Sequence, residues 1–232
     1  MEVAEFVLRW FHFLAGITWI GVLYYFNFIQ TPFFGTELGA TAKGAMTREL
    51  VPNALWWFRW GAMFTFLTGW LIVAMKLHGG VPLTSGYFTR ILTGGAMGTL
   101  MWANVWFVIW PAQKIVIENA NKVAGGAEPN PAAAAAGGKA GMASRTNTLF
   151  SIPMLFFMAA ASHLPSLARG ADVGDGVQTY WIAALIVIAL VEINGLIGPG
   201  AASQKPLTTV SGTIHAGVVL TAVLMLAQMF LI

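Results

Sequence analysis

Long uninterrupted apolar sequence is the feature that most constrains this chain. Crossing a bilayer takes about 20 predominantly apolar residues, and six stretches reach or approach that length: roughly 5 to 30, 55 to 77, 88 to 111, 148 to 167, 179 to 199 and 209 to 232. In lipid a helix satisfies all its backbone polar groups internally. The expected fold class is therefore all-α, a polytopic transmembrane helical bundle of about six spans in one domain, residues 1–232. Composition agrees: 57% of the residues are hydrophobic and only 9% charged, against roughly a quarter charged in soluble domains.

The first span lacks a basic leader and a small-residue cleavage site, and its apolar part runs too long for a signal peptide, so it is expected to stay in the mature protein. The sequence contains no cysteine, which rules out disulfides, thiolate ligands and haem attached through C-x-x-C-H. Any metal centre must use other ligands. The net charge of +3 comes from twelve cations spread over the connections; they form no basic stripe, and nucleic acid is excluded as a partner.

Lys and Arg at alternate ends of the spans set the orientation. Arg9, Lys76, Arg90 and Arg169 fall on the side of the N terminus, while Lys43, Arg48, Arg59, Lys114, Lys122, Lys139, Arg145 and Lys205 fall on the other. Both termini are accordingly expected outside. Residues 119–147, rich in Ala, Gly and Pro, are expected to form a flexible cytoplasmic linker between spans three and four, or a short surface helix in the alanine run. "TAKGAMTREL" in the loop 31–54 is expected as an interfacial helix before "VPNALWWFRW" re-enters the membrane. Gly94 and Gly98, like Gly16 and Gly21, fit close helix packing.

Ionisable residues inside a span are costly and mark candidate functional sites. Sorted by depth at about 1.5 Å per residue, they fall into two groups. On the outer side, His12 in "RWFHFLAGITWIG" and His163 in "AASHLPSL" lie at matching depth. Two imidazoles on different helices supply both axial positions of a b-type haem iron, and Gly16, one turn beyond His12, leaves room for a flat macrocycle. The alternative for each is a hydrogen bond to a neighbouring helix. His78 is expected at the interface, or as a substitute ligand.

On the inner side lie Arg59, Asn104, Gln113, Glu192, Asn194 and His215. Arg59 and Glu192 form either a structural ion pair or two walls of a polar pocket. In the second case Arg59, Asn104 and His215 bind a polar or anionic substrate, and Arg59 and Glu192 are the catalytic pair, with Glu192 or His215 handling protons. His215 as ligand of a second haem stays open.

"RWFHFLAGITWIGVLYYFNF", "NALWWFRWGAMFTFLTGW", "MWANVWFVIWPAQK" and "RTNTLFSIPMLFFMAAASHLP" together resemble the membrane domain of the bacterial cytochrome-c-linked urate oxidase (urate hydroxylase) family. The first span also resembles, more loosely, bacterial membrane protoporphyrinogen oxidases. The closer resemblance implies a bundle with its N terminus outside, in the bacterial inner membrane, that oxidises urate with water as oxygen source. It implies a periplasmic c-type cytochrome as electron acceptor. A cytochrome c domain usually follows the membrane part in that family; here no C-x-x-C-H is present, so a separate cytochrome is expected to take the electrons. The alternative is a non-catalytic structural subunit of a larger respiratory or photosynthetic membrane complex. No inverted repeat or broken-helix pair supports a transporter.

Overall fold

A computed structural model describes residues 2–164 and 176–232. The end of the fourth expected span, 165–167, and Arg169 lie outside the described residues. The helices are α1 Glu2–Tyr24, α2 Thr31–Phe34, α3 Glu37–His78, α4 Gly86–Ala103, α5 Trp110–Ala124, α6 Ala132–His163, α7 Gly176–Leu196 and α8 Val210–Leu231. A π-helical turn, Tyr25–Gln30, joins α1 to α2, and another, Asn104–Ile109, joins α4 to α5. Both make one continuous rod of the elements they join. The chain is a membrane-embedded, all-helical bundle.

Five stretches are long and apolar enough to cross a membrane: Glu2–Phe34, Glu37–His78, Gly86–Ala124, Gly176–Leu196 and Val210–Leu231. The expected fourth span corresponds to α6, which is absent from that set. α6 touches α1, α4, α5, α7 and α8, so its surroundings are protein rather than lipid, and Thr146, Asn147, Thr148 and Ser151 are all buried on it. It makes a sixth traverse inside the other five. Around the perimeter large apolar side chains face outward, Leu190 at 62% exposure and Phe107 at 68% among them, as a lipid-facing surface requires.

Two sequence expectations are corrected. Residues 119–147 are not a linker: α5 continues to Ala124 and α6 begins at Ala132, leaving 125–131 as the connection. Low bulk suggested little to bury, yet Ala133, Ala136, Ala140 and Ala143 are buried at helical spacing, and small side chains of high helix propensity allow close approach. Nor is "TAKGAMTREL" a separate interfacial helix, because α3 runs unbroken through Pro52 for 42 residues. At about 1.5 Å per residue it reaches roughly 63 Å, twice the hydrocarbon thickness of about 30 Å. Its first turns therefore project beyond the bilayer.

Successive long helices run antiparallel. His12 meets Thr68, Arg90 of α4 meets the end of α6, and the start of α7 lies against Leu231. Both chain ends therefore lie at the same end of the bundle. Close crossings depend on glycine. A Cβ on Gly61 would stand 3.0 Å from the Trp19 backbone nitrogen, and one on Gly94 would stand 3.1 Å from the Met154 carbonyl oxygen. Gly61→Leu is expected to push α1 from α3 and cost about 1–3 kcal/mol, read as a lower thermal unfolding midpoint in detergent. Replacing Gly44, which has nothing within 4 Å of a Cβ, is expected to leave that midpoint in place.

Candidate functional site

A cavity of about 560 Å3 opens between α1, α3, α4 and α6. His12 and His163 both line it. Two residues drawn from sequence positions 151 apart are thereby brought to one space by the pairing of α1 with α3 and of α4 with α6.

Local bonding sets the state of the His12 ring. Nδ1 lies 3.0 Å from Thr68 Oγ1, and the Thr68 hydroxyl donates its own hydrogen to the Phe64 carbonyl at 2.6 Å. The Thr68 oxygen must then accept, so Nδ1 carries the proton and Nε2 keeps the lone pair, which is the ligating tautomer of a neutral imidazole. Gly69 lies under the ring, where a Cβ would stand 3.1 Å from His12 Cε1. Gly16 and Gly95 border the same space; a Cβ on Gly16 would meet nothing closer than 3.9 Å and one on Gly95 nothing within 4 Å. On these two helices side-chain volume is withheld where no neighbour needs it withheld. Phe66 adds a flat wall, stacked on Trp102 at 4.2 Å and 8°.

His163 ends α6 and is exposed at the cavity mouth. The turn that carries it is held by Arg90, 3% exposed, whose Nη1 donates to the Ala160 carbonyl at 2.9 Å and the Leu164 carbonyl at 2.5 Å. A cation on the last carbonyls also suits the negative end of the helix dipole. Among the described residues no three His, Cys, Asp or Glu side chains cluster as a metal-ion site. Two imidazoles thus line one mostly apolar cavity.

The inner residues do not converge. Arg59 does not pair with Glu192: its guanidinium lies 3.5 Å over the Trp110 ring, and its Nε donates to the Leu55 carbonyl at 3.2 Å. Glu192 instead accepts from Asn104 Nδ2 at 3.2 Å. The same amide donates to Asn147 Oδ1 at 2.9 Å, while Asn147 Nδ2 donates to the Met101 carbonyl at 3.0 Å. All three side chains are buried, which makes a closed polar cluster rather than a pocket wall. His215 is exposed on α8, with Nδ1 donating to the Ser211 carbonyl at 2.7 Å. His78 is exposed at the end of α3 and does not line the cavity.

Sequence reasoning missed Thr68, Gly69 and Arg90. The first two look like ordinary span residues until α3 is known to lie antiparallel to α1. Arg90 did stand out as a cation at a span end, but nothing local assigned it to α6. Asn104→Leu is expected to remove the donor shared by Asn147 and Glu192 and cost about 1–3 kcal/mol. Glu192→Gln, which keeps an acceptor for Asn104, is expected to stay within about 1 kcal/mol of the parent. Thermal unfolding in detergent reads both.

A family model described as urate oxidase N-terminal matches residues 81–228. The match spans α4 to α8 and includes Arg90, Asn104, Asn147, His163 and Glu192, whereas His12 and its partners on α3 precede it. No curated protein and no solved structure matches the chain.

Proposed function

Because this chain belongs to the urate oxidase N-terminal family, we propose that it is a membrane redox protein of that kind, binding b-type haem in the cavity between α1, α3, α4 and α6. It acts in a bacterial inner membrane, takes electrons from a small-molecule donor such as urate, and passes them to a periplasmic c-type cytochrome. The observation that carries this is the shared cavity: His12 and His163, on different helices, line one space of about 560 Å3. That volume is within the roughly 300–1,000 Å3 of cofactor-sized sites.

The residues present fit the group. His12 and His163 are the donors that would hold the iron, and the hydrogen bond to Thr68 keeps Nε2 of His12 in its ligating form. Gly16 and Gly95 leave open the flank that a β-carbon would otherwise occupy. Haem in such a site supplies one-electron transfer. The apolar lining, with Phe66 and Trp70 among it, excludes water and so favours the less charged state of the site. The cavity mouth lies at the end of the bundle that carries both termini, and the charge bias of the connections puts that end outside. Electrons held there are close to a periplasmic acceptor.

The purified protein is expected to show a Soret band that shifts on reduction with dithionite, and a pyridine haemochrome of the b type. His12→Ala and His163→Ala are each expected to lose it. Thr68→Val is expected to retain haem while weakening its binding by about 10–100-fold, as for other outer-shell partners of ligating histidines. A colourless wild-type protein that purifies only with a larger complex would instead favour the non-catalytic subunit.

A further inference from the structure

Arg9, His12 and Gly16 follow one another at spacings of three and four on α1 and all line the cavity, so a single helix face presents a cation, a ligand and a gap in order of depth. Arg9 is at the mouth. Its Nε and Nη2 donate to Glu5 Oε1 at 3.0 and 2.8 Å, and Lys76 of α3 reaches the same oxygen at 2.9 Å. Among the described residues, one carboxylate is thus shared by two cations. Tyr87, from the first turn of α4, lines the mouth too and lies against the Arg9 guanidinium. Arg9, Glu5 and Lys76 are 33%, 23% and 29% exposed; of the three only Arg9 lines the cavity, and a ligand edge arriving there meets it only partly screened by solvent.

An apolar cavity that ends outward at a guanidinium and a phenol matches an amphiphilic planar ligand that carries anionic groups along one edge. We propose that Arg9, with Tyr87, is the clamp for the propionate carboxylates of the haem, which would make the cavity selective for a macrocycle with free carboxylates and set its orientation with that edge outward. This rests on the haem assignment above. Glu5 takes the Nε hydrogen of Arg9 and one on Nη2, so the guanidinium meets a propionate with its remaining N–H donors.

Apoprotein in detergent, titrated with ferric protohaem and with its dimethyl ester and followed at the Soret band, separates the two assignments. The wild type is expected to bind protohaem roughly tenfold or more tighter than the ester, the factor of a charge-assisted hydrogen bond. Arg9→Gln is expected to weaken protohaem binding by about that factor and leave the ester unchanged; Arg9→Lys, which keeps the charge but not the fork, is expected to fall between. Tyr87→Phe is expected to weaken protohaem alone. Equal binding of the two macrocycles by the wild type, or an Arg9→Gln loss that is the same for both, overturns the clamp while haem binding stands. Uptake of neither macrocycle by the wild type overturns the haem assignment and the clamp with it.

Discussion

The hydrocarbon of a bilayer offers a polar side chain no hydrogen bonds, so such groups inside a membrane bundle bond to the protein itself, often across to another helix. α6 answers most of that demand. Asn27 donates to Ser144 at 2.8 Å, Asn104 to Asn147 at 2.9 Å, and Tyr24 to Ser151 at 2.9 Å, the Ser151 hydroxyl being already committed to the Thr148 carbonyl. These bonds come from two different rods and end on one helix. Two of the donors, Asn27 and Asn104, sit in π-helical turns, where the extra residue per turn re-aims a side chain. α6 is consequently rich in buried polar side chains and enclosed by its neighbours.

That arrangement divides the bundle into halves of different character. Toward the end away from the chain termini the Asn104, Asn147 and Glu192 cluster is buried and closed, and Arg59 is occupied by the ring of Trp110. Toward the other end, the helices part around the cavity that holds His12 and His163. Glycine lies on both sides of the contrast. Gly61 and Gly94 bring backbones together, while Gly16 and Gly95 leave empty space. Residue type is the same in the four positions, and its consequence is set by what the opposing helix presents.

The helical membrane class and the family were legible in the residues themselves. Length and apolarity named the spans, and the run from "MWANVWF" through "SIPMLFF" to "SHLP" lies within the matched region 81–228. The placement of His12 beside the cavity with His163 follows the depth argument, because rise per residue is nearly constant along a helix. The pairing of Arg59 with Glu192 did not follow from the same argument. Depth fixes a level but not an azimuth, and Arg59 turns toward α5 rather than α7. Composition also misled for 132–147, where a run of alanine and glycine can be a flexible connection or the close-packed side of a buried helix.

What the sequence determined on its own is which stretches are long and apolar enough to cross a membrane and the family the chain belongs to. Tertiary structure decided which rods are neighbours and which faces they turn to one another. That choice made Thr68 the acceptor for His12 and Arg90 the anchor of the turn bearing His163. The physical reason is that side chains 56 or 74 residues apart meet only after helices have packed. Packing is settled by the summed fit of small residues and hydrogen-bond partners over whole interfaces, a quantity no single stretch of sequence contains.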